Sequence, residues 1–369
     1  MQDIVLYIGG FLMSIVCGFI FIPIIIHFCL DKKLYDMPDG RKIHKNPIPR
    51  LGGISFVPSM LIVSVIVLFI MSYNSGKAMH VSLWSLYFCI SLFIIYFVGI
   101  IDDLIGLNAT VKFSIEIIAT AIMPLSGLYI NNLYGLLGIY DIPFMIAAPL
   151  TILVMVFTCN AINLIDGIDG LAASLAIIAL AGFFTCFLKE NMSYYCVMII
   201  SLIGVLFSYL YYNMFGSIEK KRKIFMGDSG SLSLGFILGF LAIKYCMNTP
   251  DEPYDPSRIM WSWTFLAVPC FDVVRVFFYR IIHHHSPFRP DKNHIHHKLM
   301  ACGLSQHQAL IAIVSLQLLL IAANAVLSDA ISISLIFIID IIMYLIANAV
   351  TNLVMNRRKI ALSEIRPTA

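Results

Sequence analysis

Polar side chains are concentrated in the segment NAINLIDGIDGLA, residues 160–172 of an otherwise apolar chain. Its two asparagines and two aspartates recur at every third position: Asn160, Asn163, Asp166 and Asp169. Residues three apart are neighbours on the surface of a helix, whereas Gly167 and Gly170 favour a turn at a helix end. Either arrangement gathers several oxygen ligands in a small volume. A polar loop between two helices is the alternative interpretation of this segment alone.

Two adjacent carboxylates, Asp102 and Asp103, follow an apolar run that ends in VGII. Neighbouring carboxylates at a membrane interface repel one another unless a cation, a proton or a basic side chain offsets their charge. Lys112 is one candidate partner, and a divalent cation is another. A hydrated helix end is the simpler explanation if the pair is taken alone.

A third acidic motif, FMGDSGS at residues 225–231, places Asp228 between glycines directly before another apolar run. Asp228 or Ser229 could cap the helix that begins there, and the free amides of a helix start favour an anion. As a cap alone the motif would be structural, so its importance depends on the other motifs.

Imidazoles cluster in SPFRPDKNHIHHKL, residues 286–299. The segment holds three histidines and two nearby cations: His294, His296, His297, Arg289 and Lys292. Such a cluster can donate several hydrogen bonds to phosphate oxygens. Zinc binding is the rival interpretation, but no cysteine lies close, and the acidic motifs offer the oxygen ligands that suit magnesium.

Basic residues, prolines and a glycine pair are combined in DMPDGRKIHKNPIPRLGG, residues 36–53, which includes Lys45 and Arg50. A basic membrane anchor would explain the charges. It would not explain the prolines and glycines, which indicate a loop of defined conformation.

The elements that must hold these motifs are membrane helices. Hydrophobic residues make up 60% of the 369-residue chain and charged residues only 12%, whereas about a quarter of the residues in soluble domains are charged. Apolar runs long enough to cross the hydrocarbon core as helices recur throughout the chain. We predict eleven: 4–29, 52–72, 82–101, 111–127, 143–159, 170–188, 193–212, 229–247, 259–281, 307–327 and 330–355. The predicted fold is an all-α polytopic bundle that forms one membrane domain over residues 1–369.

The distribution of lysine and arginine orients this bundle. Basic residues crowd alternate loops, around 32–50, 220–223, 280–298 and 357–366. The positive-inside rule assigns these loops to the cytoplasm, which places the amino terminus outside and the carboxyl terminus inside. The acidic motifs and the histidine cluster then fall on the cytoplasmic side, although no acid entered the assignment. A transporter would place ionisable residues near the middle of the membrane, and we find none there.

Carboxylates from three separate segments and a basic histidine loop are thus predicted to share one face. Grouped carboxylates suit magnesium, which usually completes its octahedron with substrate phosphates and water. Phosphoryl transfer is the reaction class that uses those parts. The membrane-embedded mass indicates a lipid as the second substrate. A polytopic transporter that uses the same acids for cation coupling is the alternative from a different class.

In five motifs the chain resembles the polyprenyl-phosphate N-acetylhexosamine-1-phosphate transferases, which share a superfamily with phospho-MurNAc-pentapeptide translocase. The motifs are HKNPIPRLGG, the Asp102–Asp103 pair, NAINLIDGIDGLA, MGDSGS and PDKNHIHH, in the family's order along nearly the whole chain. The HIHH form is more similar to the GlcNAc-1-phosphate transferases of O-antigen, enterobacterial common antigen and teichoic acid initiation than to the translocase. The resemblance implies a multi-pass enzyme of the bacterial inner membrane with no nucleic acid partner, and a homodimer is the assembly to consider.

The resemblance also implies the reaction. Undecaprenyl phosphate attacks the β-phosphorus of a UDP-N-acetylhexosamine, giving a lipid-linked sugar diphosphate and releasing UMP. UDP-GlcNAc is the expected donor, and UDP-FucNAc, UDP-GalNAc and UDP-MurNAc-pentapeptide are the alternatives. The cofactor would be Mg2+, with Mn2+ as a substitute. A direct displacement and a covalent aspartyl-phosphate route are both open.

Residue roles follow from the same resemblance. Asp228 would coordinate the metal with Asn163 as its neighbour. The catalytic group would comprise Asp102, Asp103, Asp166 and Asp169. The substrate-binding group would comprise Lys45, Arg50, Lys112, Asn160, Gly167, Arg289, His294, His296 and His297.

Overall fold

The computed structural model describes residues 2–36, 47–76, 82–249, 254–286 and 291–365. These residues form thirteen α-helices and two short antiparallel sheets. The helices are α1 (Gln2–Lys32), α2 (Phe56–Ser75), α3 (Leu83–Ile105), α4 (Ala109–Leu125), α5 (Phe144–Ile165), α6 (Leu171–Lys189), α7 (Ser193–Met214), α8 (Gly227–Cys246), α9 (Ser257–Thr264), α10 (Ala267–Ile282), α11 (Ile295–Ala301), α12 (Gln306–Leu327) and α13 (Ile333–Ile365). The predicted all-α fold is confirmed.

Nine helices within the described ranges are long and apolar enough to cross a membrane: α1, α2, α3, α5, α6, α7, α8, α12 and α13. The chain is therefore a multi-pass membrane protein, as predicted. The number of eleven spans and the sides of the termini remain predictions. Four further helices fall short of a span by themselves, because α4 has 17 residues, α9 has 8, α10 has 16 and α11 has 7.

The prediction of one continuous helix over 259–281 is wrong, because the chain breaks between α9 and α10. Pro269 explains the break. Proline has no N–H, and its ring collides with the carbonyl four residues earlier, which here belongs to Phe265.

A glutamine of α12 satisfies the backbone at this break. Gln317 is fully buried, and its Nε2 donates to the Thr264 carbonyl at 2.7 Å. Its Oε1 accepts from the Val268 amide at 3.0 Å. One side-chain amide therefore replaces the backbone pairing that the interrupted helix lacks.

Helix α8 runs through the middle of the bundle and is buried from Ser229 to Cys246. Neighbouring elements approach its first turn through glycines. A Cβ on Gly53 would lie 2.1 Å from the Cα of Gly230, and one on Gly99 would lie 2.5 Å from the Cα of Ser229. Because only glycine permits such close approaches, α3 and the turn before α2 can lie directly against the start of α8.

Two small sheets complete the fold. Strand β1 (Tyr35–Asp36) pairs with β2 (Ile48–Pro49), and β3 (Asn132–Leu136) pairs with β4 (Ile139–Asp141). The chain after β2 also bonds to the segment before α8. The Phe225 amide donates to the Pro49 carbonyl at 2.7 Å, and the Gly52 amide donates to the Phe225 carbonyl at 2.9 Å. The described part of the proline-rich and glycine-rich loop therefore has the defined conformation that was predicted.

Among the described residues, Asp340 is an acid well inside a helix long enough to span the membrane. Asp340 is fully buried about two turns inside the span Ile333–Arg358 of α13. Its Oδ2 accepts from Trp263 Nε1 and from Asn324 Nδ2, both at 2.9 Å. The expectation that mid-helix positions would carry no acid is wrong at Asp340. It is also wrong at Glu116 and Asp272, which are fully buried inside the predicted helices 111–127 and 259–281. The partners of Asp340 are donors on neighbouring helices, which is typical of polar contacts that join helices within a membrane.

Candidate active site

The motif NAINLIDGIDGLA spans the end of α5 and the start of α6. Asn160 and Asn163 lie on the last two turns of α5, and Asp166 is the first residue after the helix. Gly170 has a φ of +76°, a left-handed conformation that favours glycine, and α6 begins at the next residue. The predicted turn at the glycines is confirmed, and the helical spacing of the polar residues applies only to the first half of the motif.

Lys112 joins two of the acidic motifs. Its Nζ lies 2.9 Å from Asp102 Oδ2 and 2.9 Å from Asp228 Oδ2. The Asp102 carboxylate also accepts from the Leu107 amide at 2.6 Å. The start of α4 thus places an ammonium group between carboxylates from the end of α3 and the start of α8, which offsets their mutual repulsion.

Asn163 completes this cluster from α5. Its Nδ2 donates to Asp228 Oδ1 at 2.5 Å and to Ser231 Oγ at 2.8 Å. The amide oxygen of Asn163 accepts no hydrogen bond from any described residue. An oxygen ligand therefore remains available beside the Asp228 carboxylate.

Asp103 is engaged differently from its neighbour. It is buried, with 4% of its surface exposed. Its Oδ1 accepts from the Asp228 amide at 2.9 Å and its Oδ2 accepts from the Ser229 amide at 3.0 Å. Asp103 therefore caps α8 from a different helix, and neither Asp228 nor Ser229 supplies a side-chain cap. The anion that the helix start favours is, in this structure, a carboxylate of the protein.

Sequence reasoning missed a carboxylate in α4. Glu116 is fully buried, and its Oε2 accepts from Asn160 Nδ2 at 2.5 Å. Its other oxygen has no hydrogen-bond partner among the described residues. The spacing of Lys112 and Glu116, four apart in an apolar helix, places both on the face that meets the cluster. That spacing was a signal available in the sequence.

A second missed residue, Asn213 at the end of α7, holds the loop around Asp169. Asn213 is buried and its Oδ1 accepts from the Gly170 amide at 2.7 Å. Lys223 Nζ lies 2.6 Å from Asp169 Oδ2 and donates to the Asn213 carbonyl at 3.1 Å. Asp169 is thus paired with a lysine of its own, apart from the cluster around Lys112.

Asp166 is the aspartate of the motif that keeps a free carboxylate, because none of the described residues donates to its side chain. Burial and the negative charges of Asp228, Asp169 and Asp103 raise its pKa to about 7. This carboxyl group therefore changes protonation near neutral pH.

The histidine segment lies against this loop through His296. A Cβ on Gly167 would lie 2.1 Å from His296 Nε2, so glycine permits the imidazole to touch the backbone. His296 is 1% exposed, and neither ring nitrogen has a partner among the described residues. Burial, together with the charges of His297 and His294, lowers its pKa to about 3. His296 is therefore a neutral wall of the site at physiological pH.

The other two histidines lie beside it. The His294 ring is parallel to the His296 ring with centroids 5.9 Å apart, and His297 lies 4.2 Å from His296. His294 Nδ1 bonds to Asp272 Oδ2 of α10 at 2.8 Å. Asp272 was not predicted to belong to the site. Burial, reinforced by the charges of His294 and Lys292, lowers the pKa of His297.

Of three further predicted binding residues, only Arg50 lies among the described residues. The backbone of Arg50 lies at the start of α8, because a Cβ on Gly227 would lie 2.1 Å from the Arg50 carbonyl oxygen. Gly227 has a φ of +74°, so glycine is required there on both counts. Lys45 and Arg289 lie outside the described residues.

The donor set suits a hard divalent cation. The described ranges contain no group of three or more histidine, cysteine, aspartate or glutamate side chains that could by itself hold a metal ion. Magnesium does not need one, since one or two carboxylates plus substrate phosphates and water complete its coordination. Asp228, Asp102 and the free amide oxygen of Asn163 are ligands of that kind.

A known protein family matches the part of the chain that contains the acidic cluster. The family model described as glycosyl transferase family 4 matches residues 83–246. This range includes the acidic cluster and the NAINLIDGIDGLA motif and ends before the histidine segment.

Individual relatives match more of the chain. It is 31% identical over 363 residues to a probable undecaprenyl-phosphate N-acetylglucosaminyl 1-phosphate transferase of Bacillus subtilis (strain 168), covering 95% of this chain and 93% of the relative. It is 28% identical over 301 residues to the undecaprenyl-phosphate alpha-N-acetylglucosaminyl 1-phosphate transferase of Escherichia coli (strain K12), covering 80% and 77%. For the protein of that name from Yersinia pestis, the identity is 27% over 285 residues, covering 76% and 73%.

Proposed function

This chain belongs to the undecaprenyl-phosphate N-acetylglucosaminyl 1-phosphate transferase family, and we propose that it transfers N-acetylglucosamine 1-phosphate from UDP-GlcNAc to undecaprenyl phosphate. An oxygen of the lipid phosphate attacks the β-phosphorus of UDP-GlcNAc. The bond from this phosphorus to the oxygen it shares with the α-phosphate breaks, and UMP leaves. The product is a lipid-linked sugar diphosphate, the starting unit of a cell-envelope polysaccharide of the O-antigen, common antigen or teichoic acid type.

The observation that carries this proposal is the cluster in which Lys112 lies 2.9 Å from both Asp102 and Asp228. Phosphoryl transfer depends on positioning and on cations that offset the charge of the transferring group. A cation and two carboxylates from separate helices, gathered at helix ends, provide that environment. The rival transporter function is not favoured, because this cluster lies at helix ends and Asp340 has donors on two neighbouring helices.

Mg2+ is the proposed cofactor, and Mn2+ could replace it. Asp228 and Asn163 would hold the metal, with Asp102 next to them. Bound there, the metal would neutralise charge on the substrate phosphate oxygens.

The protein's own residues would bind and orient the substrates. Lys112 would bind a phosphate, and Asp102 would serve the lipid phosphate as its base. Asp166, Gly167 and Asp169 would approach the nucleotide. The remaining proposed contacts to the donor's diphosphate and sugar come from cationic, imidazole and amide side chains: Lys45, Arg50, Asn160, Arg289, His294, His296 and His297. Asp103, with both oxygens on the amides of α8, would contribute by fixing Asp228.

The proposed location is the bacterial inner membrane, with the site facing the cytoplasm. This orientation is supported by the basic loops, which the positive-inside rule assigns to that side. The proposed partners are the two substrates, and a homodimer is the proposed assembly. Light scattering of the detergent-solubilised protein would measure its mass.

The activity is tested by mixing purified protein with UDP-GlcNAc, undecaprenyl phosphate and Mg2+ and measuring released UMP. We expect release that requires all three components and stops when a chelator removes the metal. Asp228→Asn should abolish release while the protein still extracts and folds. Asp340→Asn, which changes a buried aspartate outside the cluster, is the matched control and should retain activity. Absence of UMP release from the unaltered protein would contradict the proposal.

The same assay identifies the donor. UDP-FucNAc, UDP-GalNAc and UDP-MurNAc-pentapeptide are tested in parallel, and we expect UDP-GlcNAc to give the highest kcat/KM. A higher value for another sugar would leave the reaction class in place and replace the donor.

A further inference from the structure

Helix α10 carries two polar residues one turn apart, Asp272 and Arg275, that contact the histidine segment. Asp272 is fully buried. Its Oδ1 accepts from Arg275 Nη2 at 2.6 Å and from Tyr344 Oη at 2.9 Å. The Ile295 amide also donates to Oδ1, at 3.0 Å, and His294 Nδ1 lies 2.8 Å from Oδ2. Four donors saturate this carboxylate.

The pairing with Asp272 determines which nitrogen of His294 carries a proton. A carboxylate that already receives three other hydrogen bonds accepts one more, so Nδ1 is the protonated nitrogen. Nε2 is then the only ring nitrogen left for a substrate. It has no hydrogen-bond partner in the described part of the chain. The ring itself is parallel to His296, which touches Gly167 of the candidate site.

We infer that Asp272 is a positioning residue that acts on the reaction through His294. It fixes the tautomer and the orientation of the imidazole so that Nε2 faces the sugar diphosphate. Carboxylate–histidine pairs of this kind recur in metal sites and hydrolases, where the carboxylate does not itself touch the substrate. The effect on the reaction rests on the proposed function, whereas the pairing of Asp272 with His294 does not.

The backbone of the histidine segment has an additional attachment to α10. Arg275 Nη2 donates to the Asn293 carbonyl at 2.6 Å. Asp272→Asn keeps one oxygen for the donors on Oδ1 and replaces Oδ2 with an NH2 group, which cannot accept from His294 Nδ1. The variant therefore changes the tautomer of His294 with little loss of volume or of backbone attachment.

Steady-state kinetics separate positioning from simple stability. We expect Asp272→Asn to lower kcat for UMP release by about 10- to 100-fold, with a smaller change in the KM for UDP-GlcNAc. His294→Asn should lower kcat by a comparable factor. The double variant should be no worse than His294→Asn alone, because residues that act as a unit are non-additive. Losses that multiply in the double variant would overturn the inference. Asp340→Asn is the control for a buried aspartate away from the site.

Nitrogen-15 NMR of histidine-labelled protein tests the pairing without any activity. The difference between spectra of the unaltered protein and His294→Asn isolates the His294 signals. We expect them to report a protonated Nδ1, and in Asp272→Asn a neutral ring protonated on Nε2. A neutral Nε2–H ring in the unaltered protein would overturn the inference, even if Asp272→Asn fails to fold. If the protein releases no UMP from UDP-GlcNAc, the proposed function fails, and the spectra still decide the pairing.

Discussion

Asp102 and Asp103 are adjacent in the sequence but have different partners. Asp102 pairs with the Lys112 ammonium, whereas both oxygens of Asp103 accept backbone amides at the start of α8. We therefore predict that Asp103→Asn lowers the apparent melting temperature more than Asp102→Asn does. Hydrogen bonds to a charged group contribute about 1.5–3 kcal/mol, and the amide side chain keeps only one acceptor oxygen.

Thermal unfolding in detergent measures this difference, and the two variants are each other's control. Asp102→Asn should abolish UMP release with a smaller loss of melting temperature, because Asp102 is less buried than Asp103 and Lys112 keeps Asp228 as a partner. Equal losses of melting temperature in the two variants would show that Asp103 does not support α8 in the way its contacts indicate.

His296 makes stability depend on pH in a defined direction. Burial and the nearby charges of His297 and His294 lower its pKa from 6.5 to about 3. Between these values the unfolded chain binds more protons than the folded chain, so stability falls as the pH is lowered from 6.5 towards 3. At pH 5 the lost stability would be about 2 kcal/mol.

Comparing His296→Asn with the unaltered protein isolates the contribution of His296 to the pH dependence of stability. His297, whose pKa is also lowered, acts in the same direction. Asp166 acts in the opposite direction, because its pKa is raised from 3.8 to about 7, and its protonation favours the folded chain as the pH falls through that range. We predict that His296→Asn has a smaller loss of melting temperature between pH 7 and pH 5 than the unaltered protein. An unchanged slope would mean that His296 is not held neutral by burial.

The sequence predicted the acidic and histidine motifs but missed the residues that hold them. Glu116, Asn213 and Asp272 each occur in mostly apolar helices, without a recognisable motif around them. Their partners are distant in the chain: Asp272 bonds to Tyr344, 72 residues later, and Glu116 bonds to Asn160, 44 residues later. Such pairings depend on how the helices are arranged, which a single sequence does not specify. The spacing of Asp272 and Arg275, three apart in an apolar run, was the available signal.

At the scale of elements, the break between α9 and α10 depends on one side chain. Gln317 satisfies the Thr264 carbonyl and the Val268 amide, both of which lie in a buried part of the bundle. Gln317→Leu would leave both groups unpaired, and each buried unpaired group costs about 1–3 kcal/mol. We predict a clear loss of melting temperature in this variant.

Gln308→Leu is the matched control, because it makes the same substitution at an exposed position near the start of α12. Gln308→Leu should lower the melting temperature much less, since solvent can replace the hydrogen bond of an exposed cap. Similar melting temperatures for the two variants would contradict the role assigned to Gln317.

The helices were predicted better than the breaks within them. Apolar runs long enough to span a membrane correspond to the helices, because length and hydropathy are properties of the local sequence. The break before Pro269 was missed because apolar composition continues through it. The proline was a signal, but the glutamine that satisfies the interrupted backbone comes from another helix.

At the scale of the whole molecule, the helix ends define two faces. The end of α3, the start of α4, the end of α5 and the start of α8 meet in the acidic cluster. The sheet of β3 and β4 contacts the start of α13 instead, where the Leu137 amide donates to Ser334 Oγ at 2.8 Å. The predicted orientation places the first face in the cytoplasm and this sheet outside.

Cysteine labelling with a membrane-impermeant maleimide tests this orientation. Lys220→Cys introduces an exposed thiol between α7 and α8, directly before the acidic cluster, and Tyr140→Cys introduces one in β4, where the native side chain is 58% exposed. Because these positions belong to opposite faces, we predict that intact spheroplasts label Tyr140→Cys and that inverted vesicles label Lys220→Cys. The unaltered protein, with its nine cysteines, measures the background, and UMP release confirms that both variants fold. Labelling of Lys220→Cys from outside would invert the predicted topology and would place the proposed nucleotide site away from the cytosol.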